Sequence, residues 1–254
     1  MNGSWAFFAF PLNLLLAVFM IVCLAWLWKN RPESRLVRFL LSPAATISAI
    51  VLLLASCLWI GFSGDRTFVG SVVFVAVLLY IQVVLLLVFL RGWRCSSGQI
   101  RWRFMLLHAG LLLAVGSGFW GAPDSVELRL ALDRGEEAET AYEMNGNLTG
   151  LGYSIRLTDY RVEYSDEGMP SFYEATVSVD GEEPAVLSVN HPISAGLSED
   201  IYLASVSEEF CILQIVREPW RYFALTGILM LIAGAPSMTT SVIIAKQYDL
   251  DTEY

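Results

Sequence analysis

The sequence predicts a polytopic α-helical membrane protein of five spans, with a small all-β extracytoplasmic domain between the fourth span and the fifth. Three observations carry this expectation. Of 254 residues, 56% are hydrophobic and 16% charged, and the mean hydropathy of +0.56 lies above the soluble range. Uncharged apolar runs recur along the chain. Between the last two of them the pattern changes to alternating apolar and polar residues.

A hydrocarbon core about 30 Å thick takes about 20 helical residues to cross. Runs near that length without Asp, Glu, Lys or Arg occupy 5–28, 40–62, 68–90, 104–120 and 222–245. Several end in Trp or Tyr, whose amphipathic rings favour the headgroup level. The fourth run is the shortest, and Trp102 extends it into the interface. The first lacks a preceding basic region and exceeds the roughly 7–15 apolar residues of a signal peptide, so it reads as a retained span.

Arginine placement orients the spans. Lys29, Arg31, Arg35 and Arg38 follow the first run against a single Glu33, and Arg91, Arg94, Arg101 and Arg103 follow the third with no acid. Both connections are expected in the cytoplasm. The turn with Asp65 and Arg66 and the uncharged N-terminus are expected outside. The predicted organisation is a four-span region at 1–121, an extracytoplasmic (periplasmic) domain at 122–217, and a last span with a cytoplasmic tail at 218–254. The chain is expected in the cell (inner) membrane. Segment 121–217 holds 19 Asp and Glu against five Arg.

Within that segment, period-two alternation predicts about six short strands at 125–132, 153–164, 171–179, 185–189, 200–205 and 210–216. Turn residues separate them at Asn145-Gly146, from Asp166 to Pro170, and at Asp180-Gly181. Such a set suggests a small β-sandwich or partial barrel.

Composition and motifs exclude several functions. The net charge of −9 argues against nucleic acid as a partner. Cys23, Cys57 and Cys95 lie in or beside spans, and Cys211 alone lies in the domain, so an internal disulfide there is impossible. Cys211 reads as a small packed hydrophobe. No CxxC, P-loop, HExxH, GxSxG or GxGxxG is present, which leaves no catalytic residue to name and no basis for an independent hydrolase or kinase. The acidic pairs Asp166/Glu167, Glu182/Glu183 and Glu208/Glu209 read as solvated loop charges.

His108 differs, being the one ionisable side chain other than Tyr or Cys inside a predicted span. Five residues past Arg103, it lies about 7 Å into the helix. Polar groups at membrane depth are costly and are functional candidates. A neutral imidazole there can ligate a metal or haem iron, or can hydrogen-bond a neighbouring helix or the interface. Gly110, Gly116 and Gly118 leave little bulk on the same helix. His191, before Pro192, reads as a surface histidine in a turn. Pro236 is expected to kink the last span, with Ser237, Thr239, Thr240 and Ser241 recapturing freed carbonyls.

The order of these features resembles the ResB (CcsB) family of system II cytochrome c biogenesis. LSPAATISAIVLLLASCLWIG, beginning at Leu41, is similar to that family's first span. LVFLRGWRC and RFMLLHAGLLLAVGSGFWG follow, the latter like its His-containing span. VNHPISAGLSEDIYLASV and VREPWRYFALTGILMLIAG resemble its domain end and closing span. About 200 of the 254 residues are covered. The extra N-terminal span and the short outside domain depart from the family pattern.

The resemblance implies a subunit of a membrane haem exporter and cytochrome c haem-lyase (synthase). Its partners would be a CcsA (CcsC)-type subunit carrying a WWD motif, apocytochrome c, and a thioredoxin-like thiol reductase. The eight Trp of this chain form no WWD cluster, so it would not act alone. Haem b would be held transiently and non-covalently. Only His108 matches a family haem-ligand position, as an axial ligand, and Arg101 and Arg103 are candidate contacts for its propionates. Two other classes remain open: a membrane-held binding or sensory module, and an accessory transporter subunit using the kinked last span.

Overall fold

A computed structural model describes residues 6–64, 66–93, 100–164, 170–207 and 210–235. Two compact units result. One is helical, built from the chain up to Pro123 and again from Trp220; the other, Asp124–Pro219, is a sheet.

The helical unit contains α1 (Leu12–Asn30), α2 (Arg35–Leu40), α3 (Pro43–Ser63), α4 (Val72–Gly92), α5 (Trp102–Gly121) and α6 (Arg221–Gly234). Of these, α1, α3, α4 and α5 are long and apolar enough to cross a membrane. Three starts differ from the uncharged runs, for local reasons. The first run begins as a short 3-10 turn, Ala6–Phe8, and α1 starts only after Pro11. Leu40 belongs to α2, because Pro43 lacks an N–H and is tolerated in a first helical turn, where Ser42 Oγ accepts from the Ala45 N–H at 3.3 Å. Similarly, Ser71 caps α4 by accepting from Phe74 N–H at 3.2 Å, after a 3-10 turn over Arg66–Gly70.

The expected fifth span is described only in part. α6 has 14 residues and measures about 21 Å, less than a bilayer core. Pro236, the hydroxyls after it and the tail 246–254 lie outside the described residues. So do Met1 to Ser4, Asp65, Arg94, Cys95, Asp166, Glu167, Glu208 and Glu209.

Small and polar residues hold these helices together, since lipid tails are as apolar as leucine and leave little hydrophobic drive between helices. α5 and α6 are antiparallel. Gly121 lies against Trp220, Gly110 against Gly227, and Gly234 against Leu106 and Leu107. A Cβ on Gly110 would meet the Gly227 carbonyl oxygen at 2.8 Å, so the two backbones touch. Polar contacts tie the other helices. Asn13 Nδ2 on α1 donates to the Trp120 carbonyl at 2.7 Å, and Trp120 Nε1 donates to Gln82 Oε1 on α4 at 2.9 Å. Asn13 and Gln82 are both fully buried. Between α3 and α4, Tyr80 Oη lies 2.9 Å from Ser48 Oγ and donates to the Ala45 carbonyl at 3.2 Å.

The sheet unit has eight strands: β1 (Val126–Leu132), β2 (Glu137–Glu143), β3 (Leu148–Tyr164), β4 (Pro170–Val179), β5 (Ala185–Ser188), β6 (Ile193–Ser194), β7 (Glu199–Val206) and β8 (Cys211–Arg217). They form one sheet in the order β5-β4-β3-β2-β1-β8-β7-β6, with every ladder antiparallel. The two edges are consecutive in sequence and meet at one bridge, Ser188 to His191. The sheet therefore curls into a partial barrel rather than a sandwich. Its interior takes alternate residues from seven strands, including Leu128, Leu130 and Leu132, Ala141, Ile155 and Leu157, Ala175 and Val177, Leu187, Ile201, and Cys211, Leu213 and Ile215.

Eight strands replace the expected six because β2 and β6 escaped the alternation test. β2 reads EAETAYE, rich in Glu and Ala, which disfavour strands, and it is held by ladders on both sides. β6 has two residues. The turns behave as the residues dictate. Asp180 (φ 48) and Gly181 (φ 72) are both left-handed, and Glu182 N–H donates to the Val179 carbonyl at 2.9 Å, a primed turn suited to a twisted hairpin.

Candidate functional site

His108 sits in the second turn of α5, partly buried. Its ring stacks on Phe104, with centroids 3.8 Å apart and planes at 20°. Nδ1 lies 3.0 Å from the Phe104 carbonyl oxygen. A carbonyl only accepts, so Nδ1 is the donor in this contact. Among the described residues no buried side-chain nitrogen or oxygen lacks a partner, whereas Nε2 makes no hydrogen bond; that nitrogen is therefore not sealed in.

The ring lines a cavity of about 350 Å³. Thr46, Ala49 and Ile50 of α3 form one wall, Ile81, Val84, Leu85 and Val88 of α4 another, and Leu231 of α6 closes it beside Leu107, Leu111 and Val115. Among the described residues, His108 and Thr46 are its only polar lining residues. His108 is thus the side chain of this lining that could hold a metal or haem iron, its ring oriented by the hydrogen bond to the Phe104 carbonyl within an otherwise aliphatic pocket.

The two arginines separate. Arg101, just before α5, places its guanidinium carbon 5.1 Å from the centroid of the Phe104 ring, the ring on which the imidazole stacks. Its Nη1 also reaches the Gly92 carbonyl at 3.5 Å. Arg103 is exposed on α5 and, five residues from His108 at about 100° each, points roughly 140° away around the helix. The structure brings Arg101 to Phe104, the ring on which His108 stacks, and turns Arg103 to another side of the helix.

His191 is exposed in the tight turn between β5 and β6, where Asn190 is left-handed (φ 62). Cys23 and Cys57 are exposed thiols, and Cys211 is buried. Among the described residues, no three His, Cys, Asp or Glu side chains come together as a metal site.

Two arrangements were not legible beforehand. One is the Asn13–Trp120–Gln82 chain, beside a second apolar cavity of about 450 Å³ lined by Phe8, Leu16, Met20, Phe74 and Phe119 among others. An uncharged Asn just after Pro11 was the one available signal. The other is in the sheet unit, where Arg217 pairs with Glu199 and donates from Nη2 to the Leu151 carbonyl at 2.8 Å, while Tyr153 Oη donates to Glu199 Oε1 at 3.2 Å. Burial, then the Glu199 carboxylate, pushes the Tyr153 phenol well above its ordinary range. This cluster fastens β3, β7 and β8.

No curated protein matches the chain. Among solved structures, "Cytochrome c Heme Lyase CcmF" shows 16% identity and a TM-score of 0.37, covering 89% of this chain and 45% of that one. The chain thus spans less than half the length of that protein, and a likeness so distant assigns neither fold nor site. The model of the ResB-like family matches residues 99–210, a stretch that takes in α5 and most of the sheet.

Proposed function

We propose that this chain is a cytochrome c biogenesis subunit that receives haem within the membrane and helps present it for attachment to apocytochrome c. The observation that carries the reading is His108, an imidazole lining an apolar cavity among α3, α4, α5 and α6. The ResB-like match over 99–210 includes it. Haem here is cargo. When bound, its iron would supply a coordination position, which His108 of this chain would fill.

Phe104 contributes twice, its carbonyl fixing the proton on Nδ1 and its ring limiting imidazole rotation. Arg101 supplies a cation beside the Phe104 ring to meet a propionate. Arg103, turned away, is a weaker candidate for that contact and serves positive-inside anchoring. In this reading the arginine-rich connections are cytoplasmic, and the sheet unit is extracytoplasmic (periplasmic) in an inner membrane. α6 begins a fifth span: by Gly234 it has already reached the level of Leu106 and Leu107 on α5. A CcsA-type WWD subunit completes the haem-lyase, and a thioredoxin-like reductase keeps the recipient thiols reduced.

The test is haem per mole of assembled complex, measured beside cytochrome c yield. His108→Gly removes a polar side chain and so leaves insertion intact, while copurifying haem and cytochrome c both fall. Added imidazole restores part of the haem by filling the vacated position. His108→Leu occupies that space, and imidazole rescues it less. Normal haem and normal yield in His108→Gly would end the ligand assignment; loss of protein in both variants, at unchanged haem per complex, would make the histidine structural.

A further inference from the structure

Strand register gathers exposed apolar side chains at one end of the sheet. Val126, first in β1, pairs with Arg217, last in β8, and Arg217 also pairs with Glu199, first in β7. At this end the chain enters from α5 and leaves for α6. Residues 122–125 separate Gly121 from Val126, and 218–220 separate Arg217 from Arg221. β2 runs back toward the same end, with Tyr142 opposite Arg129 and Glu143 opposite Leu128, so the tip of the β2–β3 hairpin lies there.

Tyr142 and Leu148 face each other across that hairpin and are 56% and 58% exposed; Met144, at the tip, is 65% exposed. Ala141 points into the core, so Tyr142 and Met144, at one and three residues on, share the outer face. Glu143 is turned aside, accepting from Asn145 Nδ2 at 2.8 Å and from Thr149 Oγ1 at 2.9 Å. In the turn before β7, at the same end, Leu197 is 81% exposed.

We propose that this end of the sheet is a lipid-contacting surface, with Tyr142, Met144, Leu148 and Leu197 seated in the headgroup layer. The turn itself is polar at Asn145, Gly146 and Asn147, but the Tyr142–Leu148 pair that closes it and Met144 beside them are exposed together, and such a grouping of apolar side chains marks an interaction surface. Chain connectivity selects lipid as the occupant. An extended chain reaches at most about 3.5 Å per residue, so this end stays within about 18 Å of the end of α5 and about 14 Å of the start of α6. A tether that short holds the tip at high effective concentration against the bilayer that α5 is built to cross. Tyrosine is a side chain that the interface favours.

The test uses the full chain in phospholipid nanodiscs, with the photo-crosslinking residue p-benzoylphenylalanine replacing Tyr142 or Leu148. Arg161, on the part of β3 that extends beyond β2, is the solvent reference, and Leu54 of α3 is the lipid reference. Phospholipid adducts at Tyr142 and Leu148 are expected about tenfold above those at Arg161, the ratio given by about 1.4 kcal/mol of preference. An unchanged melting midpoint certifies each variant as folded. Adducts only to protein, or lipid adducts no higher than at Arg161, would overturn the proposal. Absence of lipid adducts at Leu54 as well would overturn it together with the spanning assignment of α3.

Discussion

Substituting Gly227 by alanine tests the contact on which the α5–α6 pair is built. The new Cβ would lie 2.6 Å from Ala114 N, 2.7 Å from Gly110 O and 3.0 Å from Ala114 Cβ. Carbon atoms pack at about 3.5–4.0 Å, so α6 must withdraw by roughly 1 Å. No rotamer change relieves the clash, because two of the three atoms are backbone of the facing helix. Overpacking against rigid backbone falls in the upper part of a range of about 1–3 kcal/mol, and the better helix propensity of alanine returns about 0.8–1 kcal/mol, which leaves a net loss of up to about 2 kcal/mol. Gly118→Ala is the matched control: on α5, its Cβ meets nothing within 4 Å, and it keeps only the propensity gain. The same chemical change therefore shifts stability in opposite directions at two positions. Unfolding midpoints of the two variants and the parent, measured in one detergent, decide it. Equal shifts, or an unchanged midpoint for Gly227→Ala, would refute the close crossing. Leu231, one turn beyond Gly227, lines the His108 cavity, so copurifying haem is expected to fall in the same variant.

Gln82→Leu removes the acceptor of the Trp120 indole N–H inside the helical unit, and a loss of about 0.6–2 kcal/mol is expected in the same unfolding assay. No loss would mean that the indole finds another acceptor. Burial pushes the Cys211 thiol from an ordinary 9.0 up to about 12. The unfolded thiol ionises near its ordinary value while the folded one stays neutral, so this contribution is whole below pH 9.0 and is lost as pH rises toward about 12. The slope reaches at most about 1.4 kcal/mol per pH unit, and Cys211→Val should flatten it when unfolding is followed at about pH 8 and about pH 10.5. Reporter fusions at Glu33 and Ser97 are expected to read cytoplasmic, and those at Asp166 and near the N-terminus extracytoplasmic. A cytoplasmic reading at Asp166 would overturn the proposed topology.

The existence of α1, α3, α4 and α5 was legible because a bilayer-length helix needs only length and the absence of charge, both properties of a linear chain. Alternation likewise located β1 and β8, in which Leu128, Leu130 and Leu132 and Cys211, Leu213 and Ile215 take the buried face, since strand period sends alternate residues to opposite sides. It missed β2, where Glu and Ala give no local preference and the neighbouring ladders impose the strand. His108 was legible as a lone imidazole among aliphatic residues. Which of its nitrogens holds the proton depends on the Phe104 carbonyl, and its cavity depends on walls from three other helices. The partners of Trp120 lie 38 and 107 positions away. Periodicity along a chain tells each residue which face it occupies; the identity of what that face meets comes from helices and strands brought together across such distances, and tertiary packing alone decides it.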